Sequence, residues 1–403
     1  LASTALLLPS ARCLFDQPVQ VKVEGLRSRQ KGVVFSSSAT YRTDGSGKID
    51  LLRDPSLSGS YFGVEPMGLL WSMKAETLHK RFQKSCALNP HVVKFSVHEE
   101  DREDRMLAEV TNERPLTGNG VSRVPVKGRN FQGVLFTPPE GPFPAVLDLC
   151  TLMSEKRASL LASRGFMVLT VPVYTDHPDN IKQMHLDHFK EAVDFLQQQP
   201  KVGSKGVGIM ARSKGGDIAL SLAAFVSGVK AVVSINGCNA VVSVPLYYQN
   251  HQIISPLGSD ITKLITTESG ASIIKYGLGD PLAEENKYSL VPTEQAKGHF
   301  LFVASEDDLN WDSKAYMDQM AERLKHHGKE NFETLCYPGA GHLLEPPYGP
   351  YCPSSFHRIV HHVVLWGGEA RAHAEAEVHL WSKIQEFFRT HLSCDAAQTK
   401  AKS

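Results

Sequence analysis

The chain has no charge of one sign to spare: across its 403 residues Lys+Arg and Asp+Glu both count 43. With no basic surplus to neutralise a phosphate backbone, and no acidic tail, a nucleic-acid partner is not expected. Long hydrophobic runs are also missing. Stretches such as 222–226 and 300–304 fall far short of the roughly 18 residues of a membrane-spanning helix, so no transmembrane segment is expected. The seven cysteines (13, 86, 150, 238, 336, 352, 394) are scattered, odd in number and without C-x-x-C spacing, which argues against a disulfide framework and a zinc site. No metal or redox cofactor is implied, and no internal repeat or low-complexity tract is visible.

A reducing, intracellular compartment fits this cysteine usage, with the cytosol expected first and the peroxisome or mitochondrion as alternatives. Residues 401–403 do not spell the Ser-Lys-Leu type of peroxisomal address, and 1–14 read as an ordinary first strand rather than the tail of a transit peptide. What is present is ordinary globular composition, 42% apolar and 21% charged, with length for two domains.

Residues 16–137 read as short alternating strands at 19–23, 32–43, 48–52, 92–97 and 131–137, with 43–48 as a hairpin loop and the charged stretch 99–104 as a solvated loop or strand end. This predicts an N-terminal β-sandwich over 1–137. A proline-rich joint, 138–144, marks its end. After it, apolar strands at 145–149, 166–173, 206–210, 231–235, 299–304 and 333–337 alternate with helices at 154–163, 180–199, after 213, 313–327 and 370–391. That rhythm predicts βαβ units around a mostly parallel sheet flanked by helices, over 145–393. The segment 238–297 interrupts it for about 60 residues and is expected to face substrate at the carboxyl edge of the sheet.

Ala211-Arg212-Ser213-Lys214-Gly215-Gly216 falls at a strand-to-helix junction, where a sharp turn would lift a serine hydroxyl out of the sheet and small residues would let helix and strand close up. By itself the motif is equally a turn that merely opens a helix. A nucleophilic serine also needs a histidine to take its proton and a carboxylate to orient that histidine. The chain supplies both in the order Ser, acid, His: Asp307 or Asp308 after the strand 299–304, and His342 in a glycine-flanked loop after 333–337. The oxyanion donors would be the Lys214 backbone N–H and one from the loop that starts at Cys150. Arg212 and Lys214 read as solvated cations or phosphate contacts, Cys150 and Cys238 as small core residues.

Taken together, 63–71 (GVEPMGLLW), 141–144 (GPFP), 157–162 (RASLLA), Ser213-Lys214-Gly215-Gly216, 337–348 (YPGAGHLLEPPY), 366–369 (WGGE) and Arg371-Ala372-His373 resemble the type I acyl-CoA thioesterase and bile acid-CoA:amino acid N-acyltransferase family. The resemblance implies an α/β-hydrolase domain preceded by a β-sandwich, and a fatty or bile acyl-CoA substrate, with CoA part of that substrate rather than a cofactor. It implies a catalytic set of Ser213, Asp308 and His342, the segment 308–313 favouring Asp308 over Asp307. Against relatives, 150–156 lacks glycine and is shorter, and Arg212 replaces a small or apolar residue. The resulting expectation is a thioesterase working through an acyl-serine. An N-acyltransferase using glycine or taurine is the alternative, and a weakly catalytic acyl-CoA-binding protein a third reading.

Overall fold

The computed structural model describes residues 5–24, 35–83, 86–99 and 102–394. Residues 1–4, the start of the expected 32–43 strand, positions 100–101 of the charged stretch and the 401–403 terminus lie outside them.

Eight strands form the central sheet: β1 (Ser122–Lys127), β2 (Gln132–Thr137), β3 (Ala145–Cys150), β4 (Met167–Pro172), β5 (Val207–Arg212), β6 (Val229–Ile235), β7 (His299–Ser305) and β8 (Phe332–Tyr337). Their order is β1-β2-β4-β3-β5-β6-β7-β8. All pairings from β4 to β8 are parallel, while β1-β2 and β2-β4 are antiparallel.

Every residue of β3 and β4 is buried, because parallel strands joined by crossover helices are covered on both faces. Their side chains still alternate. Leu147, Leu149, Leu169 and Ile209 pack towards α2 (Leu186–Gln197), α3 (Lys214–Phe225) and α4 (Ser313–His326). Val146, Val168, Met210 and Val233 pack towards α1 (Lys156–Ala162) and α5 (Ala370–His391).

The boundary expected at 137/145 cuts through this sheet, and is corrected here: β1 and β2, assigned from sequence to the sandwich side, form its antiparallel edge. The prolines of 138–144 connect two strands of one sheet, β2 and β3 on either side of β4, rather than two domains, and Pro125 is tolerated because β1 is the edge strand. Val134 and Phe136 sit in the α1/α5 core and Leu135 in the opposite one.

The N-terminal region is strand-rich. It holds a three-stranded sheet (Ala5–Leu7, Lys22–Glu24, Lys48–Asp50), a long hairpin (His91–Glu99 with Arg102–Arg114) and two short pairs. Ile49 from the sheet and Phe95 from the hairpin share one core with Tyr61, Leu70 and Trp71. A strap at 13–17 ties this region to the sheet. Buried Arg114 donates to the carbonyls of Phe15 (2.6 Å) and Gln17 (2.7 Å), and buried Asp16 Oδ2 accepts from Arg164 Nε (2.9 Å) and Trp381 Nε1 (2.8 Å).

Candidate active site

Strand β5 delivers Ser213. Arg212 pairs with Ile235 in the register, the Ser213 N–H donates to the Ile235 carbonyl at 3.0 Å, and the chain turns at once into α3. The turn holds Ser213 at φ 58°, ψ −128°. Such backbone costs a residue with a Cβ of order 1–3 kcal/mol and persists only where surrounding structure imposes it. The imposing structure is close packing: a Cβ at Gly215 would stand 2.7 Å from Leu149 O and one at Gly216 3.0 Å from Gly237 Cα. The Ala211 methyl, 3.3 Å from that hypothetical Cβ at 215, is accommodated because 215 is glycine. Gly215→Ala should therefore destabilise the fold by about 1–3 kcal/mol, read as a lower urea midpoint at unchanged slope.

The loops after β7 and β8 supply the acid and the histidine. His342 Nδ1 lies 2.6 Å from Asp308 Oδ2, and both side chains are buried. Asp308 is saturated with donors: Oδ1 accepts the Asn310 (2.8 Å) and Trp311 (2.9 Å) N–H groups, and Oδ2 also accepts the Ser313 hydroxyl (2.5 Å). Asp307 is exposed. A carboxylate at Nδ1 fixes the proton there and leaves the Nε2 lone pair available. The Nε2 atom is approached by Asn310 Nδ2 at 3.3 Å; among the described residues no hydrogen bond joins it to Ser213 Oγ.

The histidine ring is held between two indoles, stacked on Trp366 (5.7 Å, 14°) and edge-on to Trp311 (5.9 Å, 61°). Its backbone is fixed to the serine side of the sheet. Asn236, next after Ile235, donates through Nδ2 to His342 O (2.9 Å) and Ser305 Oγ (3.1 Å), and Arg212 Nη1 donates to Leu344 O (2.9 Å). Glycine is required where this loop crosses the 366–368 turn, since a Cβ at Gly341 would be 2.1 Å from Gly367 O.

The Lys214 N–H is at the first turn of α3, where helix geometry provides no intrahelical acceptor. The 150–156 loop is tied by its carbonyls: Cys150 O accepts from Val173 N (2.7 Å), Thr151 O from Tyr174 N (3.1 Å) and Ser154 O from the Thr170 hydroxyl (3.1 Å). The side chains of Lys214 and Arg212 are held in ion pairs within the protein rather than solvated. Buried Lys214 Nζ pairs with Asp217 Oδ2 at 2.7 Å, and that oxygen also accepts the Val242 N–H. Arg212 Nη1 pairs with Glu345 Oε1 at 2.6 Å.

The two cysteines at strand ends are core residues. Burial pushes the Cys150 thiol up to about 11 and the Cys238 thiol higher still, so neither supplies a thiolate near neutral pH.

Sequence reasoning missed the groups that hold the histidine loop. On α5, His373 Nδ1 accepts the Gly341 N–H (3.0 Å) and its Nε2 donates to Leu343 O (3.0 Å). Glu377, one turn on, accepts the Glu345 N–H (2.6 Å). The i, i+4 spacing on α5 was the available signal.

His357 also stacks on Trp366 (5.4 Å, 25°), and burial, with His342 nearby, pulls its pKa down to about 4. Between about pH 6.5 and 4 the unfolded chain therefore binds the extra proton and the folded one does not, so stability falls as pH is lowered through this window. The loss is of order 3 kcal/mol. His357→Asn keeps an acceptor for the Ile359 N–H and should flatten this part of the pH dependence in denaturant titrations.

A mostly parallel sheet in this strand order, with a serine on a strained turn after β5 and an aspartate–histidine pair after β7 and β8, defines an α/β-hydrolase. The chain belongs to the acyl-CoA thioester hydrolase/BAAT family: residues 16–128 match the family's N-terminal region and 184–394 its C-terminal region. It is 40% identical to human acyl-coenzyme A thioesterase 1, covering 97% of each chain. It is 39% identical to human mitochondrial acyl-coenzyme A thioesterase 2 over 97% of this chain and 85% of that one. It is 38% identical to the mouse peroxisomal succinyl-coenzyme A thioesterase over 97% of each.

Proposed function

We propose that the protein hydrolyses fatty acyl-CoA to free fatty acid and CoA through an acyl group on Ser213. The observation that carries this reading is the buried Asp308–His342 pair, fastened through Arg212 and Asn236 to the turn that bears Ser213. In the first step His342 Nε2 takes the Ser213 proton as Oγ bonds to the thioester carbonyl carbon. The oxyanion is received by the Lys214 N–H and a donor from the 150–156 loop, the C–S bond breaks, and the departing sulfur takes the proton from His342, so that CoA leaves as its thiol and the imidazole is neutral again. A thiolate is a good leaving group and needs little acid help. Water then attacks the ester, giving its proton to His342, and the acid departs as Ser213 regains a proton.

An oxygen ester on serine favours water as acceptor, whereas a thioester on cysteine is more open to amines; with both cysteines near the site buried and protonated, hydrolysis is preferred. Conjugation to glycine or taurine is the second reading, favoured by the family's joint description. Purified protein given palmitoyl-CoA or choloyl-CoA, with and without taurine and glycine, separates them by mass spectrometry. Free acid insensitive to amine is expected. Amide products would establish the transferase, and retention of CoA esters without turnover the binding protein. The scattered, odd-numbered cysteines of the sequence favour an intracellular, cytosol-first placement, which fractionation of cells expressing the protein tests.

A further inference from the structure

The chemistry above leaves a buried group of charges without a role. A small cleft, open to solvent, runs along the seam between the N-terminal region and the sheet. Ser154 of the 150–156 loop and Leu343, next to His342 in the chain, both line it. Its charged lining is Arg81, Lys156, Glu345, Glu377 and His373.

Most of these charges are satisfied by one another. Glu345 Oε1 accepts from Arg81 Nη2 (2.5 Å) and Arg212 Nη1 (2.6 Å). Burial opposes its charge, but Arg212, Arg81, Lys156 and Arg157 outweigh burial and hold the carboxyl well below the usual range. Glu377 is pushed the other way, upward by burial, and lies 3.6 Å from His373.

Lys156 is the exception. It is only 7% exposed, and among the described residues its ammonium makes no hydrogen bond or ion pair; it stands 4.0 Å over the Phe15 ring. A Cβ at Gly349, also on the lining, would come within 3.6 Å of Nζ, so bare backbone leaves room beside the charge. Glu345 and Glu377 attract this ammonium from a distance, but neither touches it, so burial still opposes its charge and a bound oxyanion in direct contact would offset that cost.

We propose that this cleft takes a small oxyanionic group of the substrate, phosphate or carboxylate, on Lys156 Nζ beside Arg81. The inference rests on the acyl-CoA reading above, and an acyl-CoA offers two sources: the phosphates of its CoA half, or a carboxylate at the far end of a dicarboxylic acyl group.

The test compares kcat/KM of the wild type, Lys156→Met and Lys156→Arg on two substrate pairs. One is an acyl-CoA against the same acyl-pantetheine, which lacks the phosphates. The other is an ω-carboxyacyl-CoA against the methyl-ended ester of equal length. Lys156→Met should lower the ratio within one pair about tenfold, as expected for a lost charge-assisted contact, and Lys156→Arg should restore it. Loss in the first pair identifies phosphate as the ligand, and loss in the second identifies carboxylate. A uniform change across all four esters, or none, overturns the proposal. If the wild type turns over no acyl-CoA, the activity assignment fails by itself and the cleft is judged by melting temperature in pyrophosphate and in succinate. A rise in the wild type that Lys156→Met abolishes supports the site, and the absence of any rise removes it.

Discussion

Ser213→Ala is expected to cut thioester turnover at least a thousandfold, roughly the scale seen when one member of a concerted nucleophile set is removed. KM should change little, because the hydroxyl contributes to bond formation rather than to holding CoA. The variant should fold, since the strained φ of 58° is imposed by packing at Gly215 and Gly216 and alanine carries the same Cβ as serine. Intact-mass spectrometry supplies a sharper readout: a rapidly quenched wild-type reaction should carry an acyl adduct that alanine abolishes. Turnover surviving this change would remove the serine from the chemistry and return attention to direct attack by water.

Asp308→Asn should cost on the order of 10⁴ in kcat, whereas Asp307→Asn should stay within about twofold. The difference follows from hydrogen-bond direction. Asp308 accepts from two backbone N–H groups, the Ser313 hydroxyl and His342 Nδ1. An asparagine that turns its NH₂ towards Nδ1 makes that nitrogen an acceptor, moves the ring proton to Nε2 and leaves nothing to receive the serine proton. Asp307 is exposed, so its carboxylate has no comparable duty. Loss of activity on changing Asp307, with Asp308→Asn active, would reverse the assignment.

The parallel sheet was legible because its strands are buried on both faces and read as apolar runs separated by helical stretches. The last helix was legible to the residue, 370–391, because Glu369 caps it by accepting the Arg371 and Ala372 N–H groups and the Gly367-Gly368 pair precedes it. The β1-β2 hairpin was misplaced because an edge strand alternates like a sandwich strand, and period-2 patterning does not say which sheet a strand joins.

Side-chain partners divided by distance along the chain. Lys214 and Asp217 are three residues apart on one helix face, a spacing that could have been used. Arg212 and Glu345 are 133 residues apart, and only the closed fold brings them together. The choice between Asp307 and Asp308 turned on which side chain points inward from a non-repeating loop, a question local periodicity does not address.

The hydrogen bond from Trp381 to Asp16 spans 365 residues of sequence. On a ribosome adding about 5–20 residues per second, the partner of this early carboxylate is synthesised tens of seconds after it. During that interval Asp16 can pair with Arg164 and Phe15 can meet His91 and Lys156, but the last of their cover, α5 and the 344–349 loop, does not yet exist. The nascent chain is thus committed to a late closure, in which its beginning is sealed by its end.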